Sequence, residues 1–170
     1  MTTVFATVSL AFFPLTILYA GLGDLATMRI PNRVVVTILL GYAVLAPLSG
    51  FSLAQLALGL VAASVVFLLA FGAFACGWMG GGDVKLMAAA ALWLGLPQMV
   101  AFLLWTSIAG GLLTLALMAY RSLPLTQMAF DATGWASRLH LDRTRVPFGV
   151  AIAAGSLIVF ASTPWMQPLR

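Results

Sequence analysis

The chain has 170 residues, 63% of them hydrophobic and only 7% charged, and its mean hydropathy is +1.11. This composition excludes an ordinary soluble domain and predicts one membrane-embedded domain over residues 1–170, with the lipid bilayer around it. The formal net charge of +4 does not indicate a nucleic-acid partner, because basic residues act as topology determinants in a membrane protein.

Six apolar runs predict an all-α, polytopic membrane protein, since about 20 apolar residues are needed to cross ~30 Å of hydrocarbon. Asp24 ends the first run, and Pro31 is well placed to begin the second helix. Turn-forming residues at 47–50 and 77–82 end the second and third runs, and a further glycine and proline end the fourth. The six predicted transmembrane helices cover residues 4–23, 34–48, 53–75, 83–96, 98–120 and 146–163.

The segment 121–145 is polar, and we expect it to be a cytoplasmic loop that contains a short interfacial helix. Asp131, His140 and Asp142 lie in this segment, and we interpret them as surface residues rather than catalytic groups. The apolar side of the helix is predicted to carry Met128, Ala132, Trp135 and Leu139, which follow helical spacing.

Basic residues predict the orientation of the spans. The loops after the first, third and fifth spans share one face, whereas the opposite face carries only Arg170. The asymmetry predicts that these loops are cytoplasmic and that both termini lie outside. The basic residues on the cytoplasmic face are Arg29, Arg33, Lys85, Arg121, Arg138, Arg143 and Arg145.

Two aspartates stand at the ends of hydrophobic spans, in a chain that has only four acidic residues. Asp24 follows the first span and Asp83 begins the fourth, so the two spans between them place both at the same side of the membrane. An ionised side chain at bilayer depth costs ~2.5–3.5 kcal/mol on translocon scales, which makes such a residue a functional candidate. We therefore expect Asp24 and Asp83 to be catalytic.

Glycines precede the second aspartate in the run Gly80, Gly81, Gly82 and Asp83. The fourth span has about fourteen residues, or ~20 Å of helix, so Asp83 is expected below the cytoplasmic surface in a polar recess. The three glycines predict an active-site loop that a peptide substrate can approach closely. A plain turn that ends in an N-capping aspartate is the alternative.

Other reactive residues give weaker signals. Lys85 either favours ionisation of nearby carboxylates or serves only as a topology charge. The single cysteine, Cys76, lies in an apolar run and is predicted to be a small buried residue. With one histidine and one cysteine in the chain, we expect no metal site and no cofactor.

Two neighbouring carboxylates can hydrolyse an amide without a metal or a covalent intermediate. They do not both ionise readily, so they share one proton. The ionised partner deprotonates a water that attacks the peptide carbonyl, while the protonated partner hydrogen-bonds the developing oxyanion. The sequence leaves open which aspartate holds the proton.

Three ordered motifs resemble those of the type IV prepilin peptidases, which are GxGD-type membrane aspartyl proteases. They are Asp24 with Ile30-Pro31-Asn32, then Gly80 to Leu86, then the late segment 146–155. The resemblance implies catalytic Asp24 and Asp83 on the cytoplasmic side of the bacterial inner membrane. It also implies prepilin or pseudopilin substrates, cleaved after a glycine at the cytoplasmic end of their hydrophobic helix.

The compact chain is similar to the short form of this family, associated with Flp-type tight-adherence pili. The long form carries a cytoplasmic loop with paired cysteines and N-methylates the new amino terminus; this chain lacks that loop, so we expect no N-methyltransferase activity. Two rival hypotheses are a small proton-coupled transporter or channel component that uses the aspartates as a relay, and a structural membrane scaffold. The particular pilin and the oligomeric state are not specified by the sequence.

Overall fold

The computed structural model describes residues 2–122, 134, 139 and 146–169, and this part of the chain is helical, without strands. The all-α prediction is confirmed for it. The interfacial helix predicted within 121–145 lies outside the described residues, apart from Gly134 and Leu139, as do Asp131, His140 and Asp142. The helices are α1 (Thr2–Thr27), α2 (Asn32–Leu48), α3 (Leu53–Ala75), α4 (Gly81–Leu94), α5 (Met99–Ser122) and α6 (Phe148–Phe160), with 3₁₀ segments at Leu96–Gln98 and Pro164–Leu169.

Three segments are long and apolar enough to cross a membrane, namely Thr7–Thr27, Leu53–Ala75 and Leu96–Ser122. The other three helices occupy the predicted positions but are shorter, with 17 residues in α2, 14 in α4 and 13 in α6. Their lengths are about 20–26 Å at ~1.5 Å per residue, against a hydrocarbon core of ~30 Å. The prediction of six spans therefore holds, by length and composition, for α1, α3 and α5.

Helix α1 continues past Asp24, whereas the sequence predicted that it would end at residue 23. Leu25 and Ala26 are good helix formers, and they carry the helix to Thr27. The chain then leaves the helix at Met28, whose φ of 55° lies in the left-handed region. As a result, Asp24 is fixed in the last turn of a helix rather than in a loop.

The short helix α4 is the centre of the bundle. It packs against α2, α3 and α6, and nine of its 14 residues are buried. Its Ala88–Ala91 run lets neighbouring helices approach closely, because a methyl group occupies little space. Burial on several sides explains why this helix is almost continuously apolar after Asp83.

Aromatic side chains fill the end of the bundle that lies opposite Asp83. Trp93 stacks on Phe13 with ring centroids 5.0 Å apart and contacts Trp165 at 4.7 Å. Both indole N–H groups are satisfied: Trp93 Nε1 donates to the carbonyl of Ile38 at 3.0 Å, and Trp165 Nε1 donates to the carbonyl of Trp93 at 2.8 Å. These contacts fix the C-terminal end of α4, and so the position of Asp83 at its other end.

Cys76 is exposed, which corrects the prediction of a buried residue. It is the C-terminal cap of α3, a helix that leaves many of its large apolar side chains exposed. The last turn of α3 lies at the edge of the bundle, so the apolar neighbours of Cys76 in the sequence do not enclose it.

Candidate active site

Asp24 is a buried carboxylate with one main-chain hydrogen-bond donor. Its side chain is only 5% exposed, and its Oδ2 accepts a hydrogen bond from the N–H of Gly149 at 2.8 Å. Gly149 lies in the first turn of α6, after the N-cap residue Pro147. Amides in a first turn have no partner within the helix, and the helix dipole favours a negative charge there.

Glycines allow α1 and α6 to approach closely enough for this contact. A Cβ on Gly149 would lie 2.9 Å from both Cβ and Oδ2 of Asp24. One turn earlier in α1, a Cβ on Gly21 would lie 2.9 Å from the Cβ of Ala153 and 3.2 Å from the carbonyl oxygen of Gly149. Any larger residue at either position would push the helices apart.

Asp83 lies in the first turn of α4, ahead of the apolar run 84–94 and outside the three long spans. Its Oδ2 accepts a hydrogen bond from the N–H of Gly80 at 3.2 Å, and its own N–H donates to the carbonyl of Gly80 at 3.0 Å. A Cβ on Gly80 would lie 2.9 Å from this carboxylate oxygen, so glycine is needed for the pairing.

Burial raises the pKa of Asp83 from 3.8 to about 7, and the negative charge of Asp24 adds to this effect. The hydrogen bond from Gly80 opposes it in part. At neutral pH the Asp83 carboxyl is therefore divided between its protonated and ionised forms, which suits a group that must both donate and accept a proton.

Both aspartates line one cavity of about 440 Å³, enough for roughly fifteen waters at ~30 Å³ each. A carboxylate pair thus shares a space large enough for water and part of a ligand. The wall combines main-chain and apolar groups, with Trp78 83% exposed at its edge. The other lining residues are Met28, Gly77, Met79, Gly80, Val146 and Phe148.

Only part of the predicted glycine loop lines the cavity, and another part packs against the α1–α2 loop. Gly80 lines the cavity, whereas Gly81, Gly82 and Lys85 are not among the lining residues. A Cβ on Gly82 would lie 3.3 Å from the Cβ of Ile30, so this glycine lets the α1–α2 loop pack on α4. Lys85 Nζ donates to Oδ1 of Asn32 at 3.1 Å and so ties α4 to the first residue of α2.

Sequence reasoning did not assign roles to Gly149, Val146, Phe148, Met28 or Trp78. A main-chain N–H donor has no signature of its own in a sequence. The available signal was Pro147 followed two residues later by glycine at the start of an apolar run, which marks a helix start with free amides. Within the described residues, no three histidine, cysteine, aspartate or glutamate side chains converge as a metal site would require.

A model of the type IV leader peptidase family matches residues 11–115. The matched segment includes both aspartates and the glycine run, whereas Gly149 lies beyond it. No curated protein and no solved structure matched the chain.

Proposed function

This chain belongs to the type IV leader peptidase family, and we propose that Asp24 and Asp83 are the aspartyl pair with which it cleaves prepilins. The observation that carries the proposal is that these two carboxylates line one cavity, although the 58 residues from 25 to 82 lie between them in the sequence. Two acidic groups held together in a largely apolar bundle destabilise the fold, and such an arrangement indicates a function.

The reaction needs only the two carboxyl groups and a water. One carboxylate removes a proton from the water as its oxygen adds to the amide carbon, and the other carboxyl group donates a hydrogen bond to the carbonyl oxygen. The carbon–nitrogen bond then breaks, and the amine leaves with the proton taken from the water. The sum is addition of one water across the amide, and the pair ends with the single proton it started with.

The cavity suits an extended substrate segment next to the end of a hydrophobic helix. Met28, Trp78 and Phe148 supply apolar surface beside the carboxylates. A glycine before the scissile bond suits this site, because it lets the substrate backbone unwind and approach the pair closely. We propose Flp-like prepilins as the substrate, since the chain resembles the short form of the family.

We propose a six-pass arrangement in the bacterial inner membrane, with the cavity facing the cytoplasm. Helices α2, α4 and α6 must return the chain between the three long helices, and their shortness is consistent with a recess below the membrane surface. Arg29, Arg33 and Lys85 belong to the segments at the same end of the bundle as the aspartates, which supports a cytoplasmic orientation.

The test is cleavage of a purified Flp-type prepilin by the detergent-solubilised protein, with mass spectrometry of the product. The wild type should remove the leader after a glycine, and Asp24→Asn and Asp83→Asn should each leave the prepilin uncut. Asp142→Asn is the matched control, because it makes the same change at an aspartate outside the proposed pair. Cleavage at the wild-type rate by either Asp24→Asn or Asp83→Asn would remove the aspartyl assignment. No cleavage by the wild type, together with a proton flux when the protein is reconstituted in sealed vesicles, would favour a transporter.

A further inference from the structure

We propose that the first turn of α6, through the N–H of Gly149, is a positioning device that keeps Asp24 ionised. Asp24 is then the general base and Asp83 the general acid. The inference rests on the proposed function, because it divides roles within the same pair. Gly149 acts through Asp24 and is therefore a positioning residue.

The main contact is a charge-assisted hydrogen bond in a buried place. The Gly149 N–H lies 2.8 Å from Asp24 Oδ2, and both residues are buried. A fixed N–H donor stabilises the ionised form of Asp24 more than the protonated form, because only the ionised form carries the negative charge that the donor interacts with. The N-terminal end of α6 adds its partial positive charge in the same direction.

None of the neighbouring charged side chains named below stabilises the ionised form of Asp24, so we assign this role to the N–H of Gly149. Helix α6 has no ionisable side chain in its 13 residues. From α4, Asp83 lines the same cavity as Asp24, and a negative charge on Asp83 would oppose ionisation of Asp24. Among the cations of the described residues at this end, Arg29, Arg33 and Arg121 do not line the cavity. Arg121 Nε donates to the carbonyl of Leu139, and Lys85 Nζ donates to Asn32.

Asp83 has the complementary environment. The N–H of Gly80 lies 3.2 Å from Asp83 Oδ2, and Gly80 is an exposed residue in the loop before α4. The pKa of Asp83 is raised to about 7 by burial and by the charge of Asp24, so the shared proton resides on Asp83 below that pH. A short buried donor on one carboxylate and a longer donor on the other make the pair asymmetric.

These roles define each proton transfer. Asp24 takes a proton from the water as the new carbon–oxygen bond forms, and Asp83 gives its proton to the carbonyl oxygen. When the carbon–nitrogen bond breaks, the leaving amine takes the proton from Asp24. Asp83 then recovers its proton from the hydroxyl oxygen as the carbonyl forms again.

The test replaces one main-chain N–H by an oxygen and adds no side chain. Replacing Gly149 by glycolic acid, through nonsense suppression, converts that amide into an ester. The matched control replaces Val150 by its hydroxy-acid analogue, which removes an N–H of the same turn that donates to the carbonyl of Pro147 at 3.2 Å. Both proteins are compared with wild type in kcat and KM for prepilin cleavage from about pH 4 to pH 9, after tryptophan-fluorescence melts have shown that they are folded.

The Gly149 ester should move the acid limb of the kcat profile upward by about one pH unit, with a roughly tenfold loss on that limb and recovery at higher pH. The Val150 ester should leave both limbs in place. An unmoved acid limb in the Gly149 ester, or an equal displacement in the Val150 ester, would overturn the assignment of roles. The proposed function fails separately, if cleavage survives Asp24→Asn.

Discussion

Replacing Asp83 with asparagine should stabilise the protein at alkaline pH while it abolishes cleavage. The pKa of Asp83 is raised from 3.8 to about 7, so the folded state prefers the protonated carboxyl. Well below its ordinary pKa of 3.8, the carboxyl is protonated in both the folded and unfolded states. As the pH rises towards 7, the unfolded state releases the proton freely, and the wild type loses stability until Asp83 ionises in the folded state as well.

The size of the effect follows from the shift. A difference of roughly three pKa units corresponds to about 4 kcal/mol at most, at 1.36 kcal/mol per unit. Partial exposure of Asp83 reduces this figure. Asparagine carries no charge at any of these pH values, and its carbonyl oxygen still accepts a hydrogen bond from Gly80. The Asp83→Asn variant should therefore be more stable than wild type at pH 8 by up to that amount.

The assay is thermal unfolding in detergent, followed by tryptophan fluorescence, to which the buried Trp93 and Trp165 contribute; each is only 1% exposed. The melting temperature of Asp83→Asn should exceed that of wild type by several degrees at pH 8, and the difference should shrink towards zero near pH 4. The low-pH melt is the internal control, because it removes the charge from both proteins. Equal melting temperatures at pH 8, or a difference that grows on acidification, would refute the reasoning.

Three further predictions concern packing, charge and topology. Gly149→Ala should lower kcat about 100-fold, because its Cβ would lie 2.9 Å from Asp24 Cβ and Oδ2, whereas the control Gly23→Ala, with open space at its Cβ, should cleave normally. Lys85→Met should change the free energy of unfolding by at most about 1 kcal/mol, since it removes one exposed hydrogen bond. The variant should still cleave the prepilin, and an inactive variant would show that Lys85 takes part in catalysis. A membrane-impermeant maleimide should label Cys76 in inside-out vesicles but not in right-side-out vesicles, and the reverse result would contradict the orientation.

The sequence was sufficient for the features that depend on charge and on apolar length. A carboxylate at the end of a long apolar run is conspicuous, so Asp24 and Asp83 could be selected from composition and position alone. The positions of the helices also followed from the apolar runs and from turn-forming residues. The short α4 was predicted as about fourteen residues, and the structure has 14.

Features that depend on how helices pack could not be predicted in this way. Gly149 lies in the late motif 146–155 but was given no role, because its contribution is a main-chain N–H that meets a residue 125 positions away. Gly82 was assigned to an active-site loop, although its lack of a side chain lets Ile30 pack on α4. Cys76 has apolar neighbours in the sequence but lies at an exposed helix end. The partners of Gly149 and Gly82 come from distant segments, and the exposure of Cys76 likewise depends on how the helices pack.

The central claim is that Asp24 and Asp83 act together on one water in one cavity. Single-turnover cleavage rates of Asp24→Asn, Asp83→Asn and the double variant test it most directly, since residues that act as a unit show strongly non-additive losses. We predict that each single variant loses cleavage almost completely and that the double variant is no slower than either single one. Substantial cleavage by one single variant, with a further independent loss in the double variant, would contradict the account.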